Sequence, residues 1–234
     1  MSNPSTLTLS FVAAVSNGIC VSQQPAAAGA LTLNGSLVSS GVATLDAARR
    51  ILISSTGADS AVVFTVTGTD RSGNVQSSTV TGVASTASQY TSRDFLTVTA
   101  VSSSAGTAGN ITVGTNQVGS SMWVVDDFLA RFWSLGGGVS GPAGTTYTVE
   151  ATFDDPNAQS GGGVVGAEQW SMNPASNIPP LAFANPAVSG ASGNNVFSYT
   201  TPIFAHRLTV NSWTGSSSGV VQMQSIQAAV GSGW

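Results

Sequence analysis

The sequence contains no lysine and little charge of either sign. Only 7% of its 234 residues are charged, whereas an ordinary globular domain is roughly one-quarter charged. The cations are all arginines: Arg49, Arg50, Arg71, Arg93, Arg131 and Arg207. The anions are Asp46, Asp59, Asp70, Asp94, Asp126, Asp127, Glu150, Asp154, Asp155 and Glu168. This scarcity removes most acid, base and metal-ligand chemistry. It indicates a surface that is solvated by Ser, Thr, Asn and Gly, or one that neighbouring subunits cover.

The chain is also poor in the features that mark disulfides, nucleic-acid binding and membranes. Cys20 is the only cysteine and lies far from any charge, which indicates a small buried side chain rather than a catalytic thiol. The arginines are scattered, so we expect no nucleic-acid partner. The longest apolar stretches, such as residues 11–15, are much too short for a membrane-spanning helix, so we expect no membrane partner. No basic residue precedes Arg49, which argues against a secretory signal and for synthesis in the cytoplasm.

Short segments rich in Val, Ile, Thr and Phe run through the first half and predict β-strands. They cover residues 6–11, 50–54, 61–67, 74–81, 95–101 and 110–114. In residues 61–67 (AVVFTVT), apolar and polar side chains alternate, as they do in a strand with one buried face. Residues 68–73 (GTDRSG) predict a hairpin turn between two of these strands. A strand spacing of about ten residues is typical of a β-sandwich or jelly roll.

The second half has a similar pattern and predicts a second domain. Its strand segments cover residues 122–125, 128–135, 145–153, 195–199, 207–213 and 220–227. The polar stretch at residues 114–121 (GTNQVGSS) separates the two sets of strands. We therefore predict an all-β protein with two β-sandwich or jelly-roll-like domains in tandem, the first in residues 1–116 and the second, with long loops, in residues 117–234.

Two motifs known from enzymes match only formally. Residues 136–141 (GGGVSG) fit G-x-G-x-x-G, but a strand follows where a dinucleotide site needs a helix, so we interpret them as a glycine turn between strands. Residues 215–219 (GSSSG) fit G-x-S-x-G, but again no helix follows. His206, the only histidine, precedes that serine, against the order of the enzyme family, and we interpret it as a turn or interface residue. We expect no catalytic residue and no cofactor.

Adjacent acidic residues are the sequence's indication of a cation site. Asp126 and Asp127 form one pair, and Asp154 and Asp155 form the other. Calcium takes several carboxylate and carbonyl oxygens, and Pro156 marks a turn after the second pair. Asp154 and Asp155 are therefore the candidate cation ligands, with the capping of an Asx turn as the favoured interpretation. We expect no other metal site.

Long segments without a strand pattern predict contact surfaces. Residues 154–166 and 173–194 are such segments, and loops of this length usually form contacts or sites. We add the C-terminal residues 220–234, because Trp234 ends the chain with no strand to hold it and tryptophan is enriched at interface hot spots. The candidate intersubunit contacts are Trp170, Pro179, Pro180, Phe183 and Trp234.

Several short motifs recur in a known class of small all-β proteins. In the first half they are residues 49–55 (RRILISS), 64–70 (FTVTGTD) with Gly73, and 92–98 (SRDFLTV). In the second half they are residues 147–156 (YTVEATFDDP) followed by Trp170, 207–211 (RLTVN) and 221–227 (VQMQSIQ). Through these motifs the chain resembles structural proteins of the head, neck and tail of tailed bacteriophage virions. The resemblance implies a role in assembly without a catalytic site.

We therefore predict a non-enzymatic, multi-copy virion component that forms a homo-oligomer. Its partners would be copies of itself and other virion proteins, either major capsid or neck and tail subunits. Capsid decoration or cementing ranks ahead of a neck or tail position. The alternative is a carbohydrate- or receptor-binding β-sandwich module that uses Trp170 and loop carboxylates. A glycan-degrading enzyme would have to use Asp126, Asp127, Asp154 or Asp155.

Overall fold

The computed structural model describes residues 3–84, 87–127, 134–156, 182–213 and 219–228. The chain divides into two compact units, which are described separately below. Unit 1 combines Met1–Phe11 with Ser120–Trp234. Unit 2 is the continuous segment Val12–Gly119.

Among the described residues, every regular element is a β-strand except one 3-10 turn at Pro186–Val188. The strands are β1 (Asn3–Phe11), β2 (Cys20–Gln23), β3 (Gly29–Ala30), β4 (Val38–Ser39), β5 (Val42–Ser55), β6 (Val63–Thr69), β7 (Val75–Thr81), β8 (Ala87–Ser103), β9 (Ile111–Ser120), β10 (Val124–Val125), β11 (Ser134–Ser140), β12 (Thr145–Thr152), β13 (Ala182–Ala184), β14 (Asn194–Tyr199), β15 (Ala205–Trp213) and β16 (Gly219–Ala228). The all-β prediction is confirmed. The jelly-roll form of that prediction stays a prediction.

Unit 2 is built on an antiparallel sheet with the strand order β9-β5-β8-β6-β7, to which the short strands β2, β3 and β4 add. Along β6, Phe64 and Val66 are fully buried while Thr65 and Thr67 are less so, as the sequence alternation predicts. The inward side chains form one hydrophobic core, which includes Ile51, Phe64, Val66, Phe95, Val98, Ile111 and Val113. Burial of this β-branched and aromatic surface is the main force that holds the sheet together.

The turn between β6 and β7 has the chemistry that its sequence predicts. Asp70 Oδ1 accepts hydrogen bonds from the backbone N–H groups of Ser72 (2.8 Å) and Asn74 (2.9 Å). Gly73 has a φ of 84°, in the left-handed region that favours glycine. The side chain of Asp70 thus satisfies the turn, and β6 and β7 pair in register from Val63–Thr81 to Thr69–Val75.

A buried arginine ties the two ends of unit 2 to β5. Arg49 is 0% exposed and donates hydrogen bonds to the carbonyls of Val12 (2.7 Å) and Asn116 (3.1 Å). It also forms an ion pair with Asp46 at 2.5 Å, and the same carboxylate oxygen accepts the N–H of Val12 at 2.8 Å. One of the few charged pairs in this chain therefore has its arginine inside the fold, where the two terminal nitrogens of the guanidinium reach two carbonyls and a carboxylate at once.

Unit 1 is a sandwich of two sheets. One sheet has the order β1-β16-β11-β14, and the other has the order β13-β12-β15, with β10 paired to β15. Their facing side chains are buried; these include Leu9, Leu135, Phe197 and Met223 from the first sheet and Tyr147, Val149, Leu208 and Val210 from the second. The hydroxyl of Tyr199 on β14 donates to the carbonyl of Val149 on β12 at 3.4 Å.

The first strand belongs to unit 1, which differs from the expected division into residues 1–116 and 117–234. β1 pairs with β16 along its whole length, from Asn3–Gln227 to Phe11–Gly219. This antiparallel pairing joins the two ends of the described chain, and a sequence pattern that records only neighbours along the chain does not reveal it. The later boundary, Gly119–Ser120, lies close to the expected one.

Two local expectations are wrong. Gly136, Gly137 and Gly138 do not form a turn but lie in the middle of β11, paired on both sides with β14 and β16. Within residues 173–194, where no strand was predicted, the structure has β13 and the 3-10 turn Pro186–Val188. Asn185 caps that turn, because its side-chain oxygen accepts the N–H of Ala187 at 3.0 Å.

Candidate interaction surface

The outward face of the β1-β16-β11-β14 sheet carries no charged side chain at any described position. Its side chains alternate with the buried ones along each strand. They are Pro4, Thr6, Thr8 and Ser10 on β1, Val220, Gln222, Gln224 and Ile226 on β16, Ser134, Gly136, Gly138 and Ser140 on β11, and Asn194, Val196 and Ser198 on β14. Three apolar side chains on this face are well exposed: Val196 (78%), Ile226 (50%) and Val220 (46%). We call these residues the uncharged face.

Two glycines make a trough along the uncharged face. Gly138 lies between Gln224 and Val196 on the neighbouring strands, and Gly136 lies between Ile226 and Ser198. A side chain at either glycine would meet little, since the nearest atoms to its Cβ would be carbonyl oxygens at 3.6 Å and 3.9 Å. The trough has a volume of about 460 Å³. The uncharged face therefore has a groove, so a partner can be recognised through its shape as well as through its polarity.

A second apolar feature of unit 1 includes Phe183, one of the predicted contact residues. Phe183 on β13 stacks on Phe153 with ring centroids 5.0 Å apart, and Phe153 is 61% exposed. Phe183 also meets the edge of Tyr199 at 6.2 Å. Burial raises the pKa of Tyr199 to about 12, although a hydrogen bond with Asn185 opposes the shift. The cluster is thus uncharged at neutral pH, and it presents an aromatic ring to solvent.

The other predicted contact residues lie outside the described residues. These are Trp170, Pro179, Pro180 and Trp234. The carbohydrate-binding alternative is tied to Trp170, so the structure does not test it at that position.

Asp154 and Asp155, the candidate cation ligands, lie just beyond β12, which ends at Thr152. The N–H of Asp154 donates to the hydroxyl of Thr152 at 3.0 Å, in a local turn. No group of three or more His, Cys, Asp or Glu side chains that could hold a metal ion occurs in the described part of the chain. A pair of neighbouring carboxylates alone supplies fewer ligands than calcium takes.

The second sheet of unit 1 holds a charged pair on its outward side. Arg207 Nε donates to Glu150 Oε2 at 2.7 Å, and its guanidinium lies over the ring of Trp123, 4.5 Å from the ring centroid. Glu150 also accepts the hydroxyl of Thr209 at 3.0 Å. This sheet therefore differs in polarity from the uncharged face.

A polar cluster that the sequence does not reveal lies between the two sheets of unit 1. His206 on β15 is 0% exposed; its Nδ1 is 2.8 Å from Asp126 Oδ2 and its Nε2 is 3.0 Å from Ser225 Oγ on β16. The hydroxyl of Ser225 lies 3.0 Å from that of Ser5 on β1. Asp126 follows β10 and is held there by a hydrogen bond from its N–H to the carbonyl of Phe204 at 2.9 Å. The expectation that His206 is a turn or interface residue is wrong.

The order Asp126–His206–Ser225 resembles a serine hydrolase triad, but the setting does not suit acyl transfer. Ser225 is 2% exposed and lies in a central strand, between Ser5 on β1 and Gly137 on β11. Its backbone belongs to the sheet, whereas an oxyanion hole needs donors aimed at the reacting carbonyl. The cluster is thus a buried hydrogen-bond network that links the two sheets. Sequence reasoning missed it because its members are about 20 to 220 residues apart along the chain.

The remaining reactive group is also buried. Burial raises the pKa of the Cys20 thiol to about 12, so that the nucleophilic thiolate is rare at neutral pH. The interpretation of Cys20 as a small buried side chain agrees with its 0% exposure.

Among the described residues, no helix has the length and apolar character to cross a membrane.

No family model, curated protein or solved structure matches this chain.

Proposed function

We propose that this chain is a non-enzymatic, multi-copy structural component of a tailed bacteriophage virion, with capsid decoration or cementing ranked ahead of a neck or tail position. The uncharged face is the observation that carries the proposal. Interface cores are depleted in charged residues, because a charge loses its hydration when a partner covers it. A broad sheet face without charge is therefore suited to contact with another protein surface.

The rest of unit 1 supports the same proposal. The stacked pair Phe153 and Phe183 offers an exposed aromatic contact of the kind that dominates interface energetics. β1 and β14 are the outer strands of their sheet, and each presents backbone groups that a strand from a neighbouring subunit can pair with. Repeated use of such surfaces produces the symmetric arrays that virions are made of.

The first test is quantitative mass spectrometry of gradient-purified particles of the phage that encodes the chain. We expect many copies per particle, in a fixed ratio to the major capsid protein. Empty shells without tails distinguish the two positions, since a decoration protein stays with them and a neck or tail protein does not. Absence from purified particles would overturn the proposal.

The second test asks whether the uncharged face is the contact. We expect the wild-type chain to form an oligomer in sedimentation experiments and Val196→Asp to shift it to the monomer, because the new carboxylate would lose its hydration in the contact. Val75→Asp is the matched control, since Val75 is 67% exposed on β7 in unit 2. Equal association of both variants would exclude the uncharged face, and a wild-type monomer at all concentrations would exclude self-assembly.

A further inference from the structure

Unit 2 has a polar groove that plays no part in the proposed assembly role. The groove has a volume of about 500 Å³ and lies between the end of β7 and the beginning of β8, beside Arg50 on β5. The side chains around it are mainly hydroxyls and amides, and the lining includes Thr79, Thr81, Gln89, Tyr90 and Ser92. A groove of this size accommodates a small ligand of one to a few rings.

A β-bulge in β8 creates the groove. Arg50 pairs with Asp94 and Leu52 pairs with Tyr90, so β8 has two more residues than β5 in this interval. The hydroxyl of Thr91, which is fully buried, accepts the N–H of Ile51 at 2.9 Å in place of a backbone carbonyl. Bulges of this kind redirect side chains and are common beside binding sites.

The wall of the groove that β7 forms is held to β8 by side-chain hydrogen bonds. Gln76 on β7 donates to the carbonyl of Asp94 at 2.5 Å, and the hydroxyls of Ser78 and Ser92 are 3.3 Å apart. These bonds hold β7 beside the bulged part of β8, although β6 is the ladder partner of β7. The groove begins beyond these two contacts. They join its β7 wall to its β8 wall at one end and so fix the distance between the walls.

An aromatic ring and a guanidinium group meet in the groove. Tyr90 is 48% exposed, and the guanidinium carbon of Arg50 lies 5.5 Å from its ring centroid. Arg50 Nε is 3.6 Å from Asp94 Oδ1, so an acidic side chain compensates the positive charge. The groove thus combines a half-exposed aromatic surface, several hydrogen-bonding groups and little net charge.

We propose that this groove binds a neutral saccharide. The C–H face of a pyranose ring is apolar and packs on an aromatic side chain, while the hydroxyls around its rim need donors and acceptors. Tyr90 supplies the surface, and Gln89, Thr79, Thr81 and Arg50 supply the polar groups. An acidic sugar gains little here, because Asp94 already neutralises Arg50.

The test is a printed array of neutral and acidic oligosaccharides probed with the full-length chain, followed by calorimetry with the neutral oligosaccharide that gives the strongest signal. We expect at least one neutral oligosaccharide to bind. Tyr90→Ala should weaken its binding at least about tenfold, because it removes the stacking surface. Thr81→Trp should also weaken binding. Thr81 lies at the exposed rim of the groove, and the larger tryptophan side chain would fill the space that the ligand needs. Val75→Ala is the matched control, since Val75 is 67% exposed on β7 of the same unit, outside the groove lining, and its truncation should leave the affinity unchanged.

Other outcomes would overturn this inference. These are no binding of any neutral oligosaccharide, a preference for acidic ones, or an affinity that Tyr90→Ala and Thr81→Trp leave unchanged although both variants retain the wild-type melting temperature. The result is independent of the virion tests, because it uses the isolated chain and residues that are absent from the uncharged face.

Discussion

A buried imidazole needs a partner for each ring nitrogen, and His206 has them in Asp126 and Ser225. With a proton on Nδ1, the ring donates to the Asp126 carboxylate, and Nε2 shares a hydrogen bond with the Ser225 hydroxyl. Ser225 can then accept the hydroxyl of Ser5. Both ring nitrogens and both hydroxyls of the cluster thus have hydrogen-bond partners, and a buried polar network stabilises a fold when its groups are paired in this way.

This network leads to a stability prediction for His206→Leu. The substitution leaves the Asp126 carboxylate, whose side chain is 4% exposed, without its ring partner. We expect a loss of about 3–5 kcal/mol in the free energy of unfolding, the usual cost of breaking a buried pair. All five tryptophans lie in the sequence of unit 1, so urea unfolding followed by tryptophan fluorescence reports on this unit.

The double variant His206→Leu with Asp126→Leu is the control. Replacing both members by apolar groups of similar volume is often close to neutral, so the double variant should be more stable than His206→Leu alone. A single variant that loses less than about 1 kcal/mol would contradict the role of the cluster as a stabilising link between the sheets.

At the scale of elements, two neighbouring glycines in β11 differ in the space that an added Cβ atom would have. Gly137 points into the sandwich, where an added Cβ would lie 2.2 Å from the carbonyl oxygen of Gln224 and 2.7 Å from the ring of Phe197. Gly138 points outward, where the nearest atom would be at 3.6 Å. Only the inward position therefore needs glycine.

Alanine substitutions at these two positions test that difference. We expect Gly137→Ala to lower the free energy of unfolding by about 1–3 kcal/mol, the usual cost of overpacking. Gly138→Ala should be neutral or stabilise the protein by about 0.5–1 kcal/mol, because it reduces the entropy of the unfolded chain. Urea unfolding followed by tryptophan fluorescence measures both. Equal effects at the two positions would mean that the packing of Gly137 against Phe197 does not matter.

Most strands could be predicted, because their signal is local. The alternation in β6 matches its one buried face, and the Asp70–Gly73 turn marks a hairpin. The glycine turn expected at residues 136–141 is wrong because a strand with three glycines lacks the side chains that signal a strand. The short strands β2, β3 and β4 carry too few residues to show a period.

At the scale of the whole molecule, the low charge content predicts how association responds to salt. If subunits associate through the uncharged face, screening removes no attraction between them. We expect the oligomer fraction in analytical ultracentrifugation to stay constant or rise between about 0.1 M and about 1 M NaCl, although the Debye length falls from about 10 Å to about 3 Å. Sulfate should strengthen association, since it favours apolar burial.

The same experiment has an outcome that would count against the uncharged face. Dissociation at high salt would show that ion pairs hold the subunits together. Arg207 with Glu150 on the other sheet of unit 1 would then be the next candidate, and Arg207→Gln the variant to examine.

The sequence alone determined the all-β class, most strand positions and the scarcity of charge, because composition and the period-two pattern are local properties. Only the tertiary structure decided which residues meet. The pairing of β1 with β16, the cluster of Asp126, His206 and Ser225, and the bulged groove at Tyr90 each depend on contacts between distant parts of the chain. The uncharged face is an intermediate case, since its composition is visible in the sequence, but strand pairing and side-chain direction bring those residues onto one surface.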